Sequence, residues 1–146
     1  MHATCLITAL GPLINVIIAP SRPRVQALVA AGLHVPTPVS INLLVDTGAS
    51  LTSIDDRHIQ ALGLSPTGTT LMHTPSTGAT PVSVPLYDIE LAITGHAGAG
   101  VHALPSMPVM GCSFGAQGID GLLGRDLLAR GRLIYSGLDN IVMISF

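Results

Sequence analysis

The chain has 146 residues, 48% of them hydrophobic, 10% charged and 3% aromatic. That length holds one compact domain, spanning residues 1–146, and so apolar a composition excludes a disordered chain. Six arginines and no lysine stand against eight acids, for a net charge of −2, which leaves no basic footprint for nucleic acid. An average globular chain carries roughly 25% charged residues. The shortage here predicts that part of the exterior is buried, most simply against a second copy of the chain.

Two long charge-free stretches, residues 3–21 and 91–119, invite a membrane reading, but Gly11, Pro12 and Asn15 interrupt the first, and Gly, Pro, Ser and His interrupt the second. Neither is the run of about 20 apolar residues that a spanning helix needs. No basic residue precedes the first apolar stretch, so no signal peptide is read and a cytoplasmic location is expected. Cys5 and Cys112 lack a C-x-x-C spacing and read as two free thiols.

Taken in chain order, short apolar runs cut by Gly and Pro predict mostly β-structure. Residues 13–19, rich in Ile and Val, read as a buried strand. After a break at Pro20–Pro23, residues 24–31 read as a short helix ending at Gly32, and Pro36 and Pro38 precede a strand over 40–45. Residues 55–62 form a second helix capped by Asp55. A hairpin follows, with arms at 69–73 and 82–86 around a tip containing Thr77 and Gly78. Along its second arm Val82, Val84 and Leu86 share one parity, and Tyr87, Ile89, Leu91 and Ile93 the other. This slip predicts a bulge or kink near Pro85, dividing a long strand into an outward hairpin half and a half within the main sheet. Strands over 101–104 and 107–110, an apolar run at 119–123, a helix over 125–130 and a terminal hairpin (133–135 with 141–146) complete the reading.

The segment Leu43-Leu-Val-Asp46-Thr47-Gly48-Ala49-Ser50 is the most specific in the chain. An acid ending an apolar strand before Thr-Gly suits an ordinary turn, and the tripeptide alone arises by chance in roughly a few per cent of chains this long. In context it resembles the active-site turn of the retropepsin-like aspartic proteases, in which two apolar residues precede Asp-Thr/Ser-Gly. Gly121-Leu122-Leu123-Gly124-Arg125-Asp126 is similar to the family's second motif, and the candidate hairpin lies between the two, where the family has a substrate-covering flap. The order of elements matches from Leu13 to Phe146. The stretch from Pro20 to Pro38 is longer than in viral members and looks more like bacterial ones.

The resemblance implies a mostly β, closed domain with a flap hairpin and one or two short helices, working as a homodimer. One Asp-Thr-Gly supplies one carboxylate, and the family's chemistry needs two. Asp46 of each copy would therefore form the catalytic pair, acting on a peptide or protein substrate. Thr47, Gly48 and Ala49 would support the site, with Thr47 bridging the copies and the Gly48 amide holding the carboxylate. Ser50, Thr77 and Gly78 would contact substrate, and Leu122, Leu123 and Gly124 would form the psi-shaped loop bracing the Asp strand. Because the pair must share one proton, activity is expected on the acid side of neutrality. Retroviral members pair the residue equivalent to Arg125 with an acid at the place of Ser50, so the partner of Arg125 is left open. The terminal strand stitches two copies together in the family, although pairing within one chain fits its sequence equally.

Other motifs carry less. The histidines show no HxxxH or paired Cys/His spacing, so no metal and no cofactor are expected. Residues 111–115 lack a nucleophile elbow. Asp55 and Asp56 read as helix-start residues, and Arg125 and Asp126 as structural. The rival reading is a catalytically silent module of the same fold that binds peptides or mediates assembly.

Overall fold

The apolar runs become strands in the computed structural model, which describes residues 1–74 and 78–146. In chain order these are β1 (His2–Thr8), β2 (Gly11–Pro20), α1 (Arg22–Ala30), β3 (Val39–Val45), β4 (Ser53–Asp55), α2 (Asp56–Ala61), β5 (Gly68–Met72), β6 (Val82–Thr94), β7 (Val101–Cys112), β8 (Gly121–Leu123), α3 (Arg125–Leu128), β9 (Arg132–Ser136) and β10 (Ile141–Ser145). The fold is mostly β, with three short α-helices rather than one or two.

Six strands close on themselves. β6 pairs with β7 along one edge and with β2 along the other, so the order β6-β7-β4-β8-β3-β2 returns to its start. Closure removes the free edges that an open sheet would expose. The interior is filled by the inward parity of each strand: Ile14, Val16 and Ile18 from β2, Ile41 and Leu43 from β3, and Ile89, Leu91 and Ile93 from β6. At about 25 cal/mol per Å² of apolar surface, this aliphatic interior is the main source of stability.

Within the barrel, β8 lies between β3 and β4. It runs parallel to β3 (Leu44↔Leu122, Val45↔Leu123) and antiparallel to β4 (Ser53↔Leu122, Ile54↔Gly121). The strands that enter and leave the Asp46 turn are thus held apart by one three-residue strand. Two glycines make this possible. A Cβ on Gly121, whose φ is +155°, would overlap the Ser53 carbonyl oxygen, and one on Gly124 would sit 2.5 Å from the Leu51 carbonyl carbon.

The predicted hairpin is present: β5 and β6 pair from Gly68↔Leu86 to Met72↔Val82. Residues 75–77 of its tip, Thr77 among them, lie outside the described residues. The register runs unbroken through Pro85, so the bulge expected there is absent. β6 instead exchanges its neighbour, pairing with β5 up to Leu86 and with β2 from Ile89 onward, and the buried parity changes with the partner. The irregularity falls between Ile89 and Leu91, opposite Met107 and Leu104. One residue of β6 there faces two of β7, Pro105 and Ser106. That bulge makes one continuous strand of the two expected over 101–104 and 107–110, and shifts the buried parity from Leu104 to Met107 and Val109.

Two further differences are informative. β1 has no counterpart in the sequence reading, because its inward residues Ala3, Cys5 and Ile7 carry little apolar signal and its main partner is the last strand. β10 is paired on both edges within the chain, by β1 and by β9, the intrachain one of the two arrangements expected for the terminal strand. α1 begins two residues early because Pro23 sits in its first turn, where a missing N–H is harmless. α3, Arg125–Leu128, ends two residues earlier than expected.

Replacing Gly124 by Ala is expected to destabilise the protein by at least about 3 kcal/mol, since rigid backbone, not a movable side chain, fills the space. Urea unfolding of the variant against wild type measures this, with Gly115→Ala, where a Cβ meets nothing within 4 Å, as the control.

Candidate active site

The Asp46 turn is fixed by backbone bonds before any side chain contributes. Asp46 N–H donates to Leu123 O (3.1 Å), Ala49 N–H to Asp46 O (3.3 Å), and Arg125 N–H to Ala49 O (2.9 Å). The half-buried Asp46 carboxylate accepts the Gly48 N–H at 2.8 Å through Oδ1. The Arg125 guanidinium donates to the Thr47 carbonyl at 3.1 Å, so the partner missing at Ser50 is replaced by the backbone of the turn itself.

Behind the turn, Thr52 is fully buried and ties the two motifs together. Gly124 N–H donates to Thr52 Oγ1 (3.1 Å), which donates to Asp126 Oδ1 (2.8 Å), while Thr52 N–H reaches both Asp126 oxygens at 3.0 Å. Every polar atom of this knot has a partner, which low dielectric makes essential.

In front of the turn opens a cleft of about 640 Å³. Asp46, Gly48, Ala49, Ser50 and Leu122 line it, together with Met72 and His73 from the β5 side and Met110, Cys112, Phe114 and Gln117 from the opposite wall. Asp46 is the sole carboxylate among the described lining residues. Thr47 is exposed on the turn but does not line the cleft, nor does Gly78. Leu123 is fully buried behind the site. The contributions of Met110, Cys112, Phe114 and Gln117 have no local sequence signal. They reach the cleft because β7 pairs in parallel with β4 (Ser53↔Met110, Asp55↔Cys112). Burial, aided by the Asp56 carboxylate, pushes the Cys112 thiol above its ordinary value. It is therefore a weak nucleophile at neutral pH.

The wall carrying Phe114 and Gln117 is anchored by two acids. Burial alone would raise Asp55, but it accepts N–H bonds from Arg57 and Phe114 and an ion pair from the Arg57 guanidinium, and these hold it below its ordinary value. Asp120 is likewise raised by burial and lowered further by the Asn42 N–H, His58 and Arg57. Asp55 also caps α2, as its sequence position implied.

Residues 25–127 match the family model described as aspartyl protease. The chain belongs to the aspartyl protease family. Its fold is that of the retropepsin-like members: it is similar to the crystal structure of a retropepsin-like aspartic protease from Rickettsia conorii, with a TM-score of 0.60 at 17% identity, over 99% of this chain and 90% of that one. Among curated protein sequences none matches. In this family member no helix among the described residues is long and apolar enough to cross a membrane.

The two depressed carboxylates predict acid lability of the cleft wall. A group lowered in the fold stabilises above its unfolded pKa and loses that contribution as pH falls through the folded value. Urea midpoints of this protein should therefore decline below about pH 4. Asp120→Asn should lower the midpoint at pH 6 and flatten the decline; equal slopes for variant and wild type would remove these acids as its cause.

Proposed function

We propose that the chain is one half of a homodimeric aspartic endopeptidase whose catalytic pair is Asp46 from each copy. The observation that carries this reading is a single carboxylate, held by the Gly48 amide, in a cleft whose described lining offers no other acid. A water-activating dyad then requires a second chain. Two carboxylates about 3 Å apart cannot both ionise cheaply, so the pair keeps one proton, as is general for aspartic-protease dyads.

The charged carboxylate takes a proton from the bound water as its oxygen attacks the scissile carbonyl carbon. The protonated partner gives its proton to the carbonyl oxygen. As the resulting diol collapses and the C–N bond breaks, one carboxyl gives its proton to the departing amine and the charged carboxylate takes a proton from a diol hydroxyl, which restores the singly protonated pair. Thr47, exposed on the outer side of the turn, is where the second copy approaches, and Gly48 and Ala49 support the carboxylate. Ser50 faces the bound peptide, and the β5–β6 hairpin with Gly78 near its tip serves as the flap. Leu122, Leu123 and Gly124 hold the Asp strand from behind.

Cleavage of a diverse peptide library between about pH 4 and 7 tests this. Asp46→Asn is expected to lose about 10²–10⁴-fold in rate, the usual contribution of a positioned acid–base group, while remaining folded and dimeric by sedimentation. Equal cleavage by the variant would remove Asp46 from the mechanism. A folded wild-type dimer that binds peptides without cleaving them would instead mark a silent binding module.

A further inference from the structure

Ser53 is 1% exposed, and its hydroxyl oxygen is a buried side-chain atom without a hydrogen-bond partner. Such orphans are uncommon, because each costs free energy that a partner would recover. This one borders the cleft. The sheet register explains how: Ser53 pairs with Met110 on one side and Leu122 on the other, and all three residues line the cleft. They form one row across its floor, with a hydroxyl between two apolar side chains.

The neighbouring polar groups are already committed. Thr52 is spent in the knot with Gly124 and Asp126, and Asp55 is saturated by Arg57 and Phe114. Neither Asp126 nor Asp55 hydrogen-bonds the Ser53 hydroxyl. The hydroxyl is thus a donor and acceptor that the chain itself leaves unused, at a position where alanine would remove no hydrogen bond from the free protein.

We propose that Ser53 selects, at one subsite of the cleft, a substrate side chain that carries an uncharged hydrogen-bonding group on a short apolar stem, such as threonine or asparagine. This rests on the cleft being a peptide-binding cleft, as argued above. The stem packs against Met110 and Leu122, and the polar atom completes Ser53 Oγ. A charged side chain is disfavoured because this row offers it no counter-charge. An aliphatic one leaves the hydroxyl unpaired, and a site built to hydrogen-bond a ligand discriminates against analogues that cannot.

The test compares wild type with Ser53→Ala and Ser53→Val on peptide libraries varied at each position flanking the scissile bond. At one position wild type should favour Thr or Asn over Val by about tenfold in kcat/KM, the scale of one unpaired buried polar group. Ser53→Val should reverse that preference and leave the other positions unchanged. Indifference to Thr against Val at every position, or an unaltered profile in the variants, overturns the proposal while leaving the peptidase reading intact. A second readout needs no turnover: statine-type peptides differing only by Thr or Val should raise the melting temperature unequally in wild type and equally in Ser53→Ala. If that difference holds but no peptide is cleaved, the enzyme reading falls and this one stands. No shift with any peptide, together with no cleavage, overturns both. In the free protein, Ser53→Ala should be no less stable than wild type; a marked drop in melting temperature would show that the hydroxyl already has a partner and overturn its role in selection.

Discussion

Three residues of backbone, Gly121–Leu123, hydrogen-bond to the strands on both sides of the Asp46 turn, and everything at the site depends on that insertion. A strand ending in an acid and a glycine would otherwise be a mobile loop at the barrel mouth. With β8 lodged between β3 and β4, the Asp46 amide is bonded to Leu123 and the Thr52 knot closes behind it. The conformational entropy of the turn is removed at folding rather than at substrate binding, which is what preorganised chemistry requires. The geometry demands residues without side chains at Gly121 and Gly124, because the neighbouring backbone occupies the space.

Around this fixed turn the cleft is built from apolar walls and few polar groups. Met72, Met110, Phe114 and Leu122 give it apolar walls. The charged network of Asp55, Arg57, His58 and Asp120 lies outside the chemistry and holds the wall in place. The chain therefore separates acids that build the cleft from the one acid that faces it. The saturated carboxylates cannot exchange roles with Asp46, because their lone pairs are taken.

The terminal strands form a small sheet beyond the barrel. β10 spends both edges inside the chain, so a second copy finds no unpaired edge on it. The outer face of this sheet carries Leu6 and Ile134, both substantially exposed. On a chain with so few charges such surface is costly to leave in water.

Much of the architecture was legible locally. The helix from Asp56 follows from a capping carboxylate, the β5–β6 hairpin from two apolar arms around a glycine tip, and the Asp46 turn from an acid placed after Leu43-Leu-Val. Those signals act over a few residues, so sequence order carries them. What failed was of another kind. The parity slip along β6 was visible, but its cause was an exchange of strand partners, and the bulge lay in β7 at Pro105–Ser106. β1 went unseen because its stability comes from pairing with a strand more than 130 residues away.

The amino-acid sequence by itself determined the acid, its turn and the second glycine motif, because each is written in adjacent residues. Only the tertiary structure decided that Arg125 holds the Thr47 carbonyl, that Met110, Cys112 and Phe114 face Asp46 across a cleft, and that the Ser53 hydroxyl is left unpaired on its floor. Those facts depend on strand register and barrel closure, which are set by the sum of many weak long-range pairings that no local stretch of the chain contains.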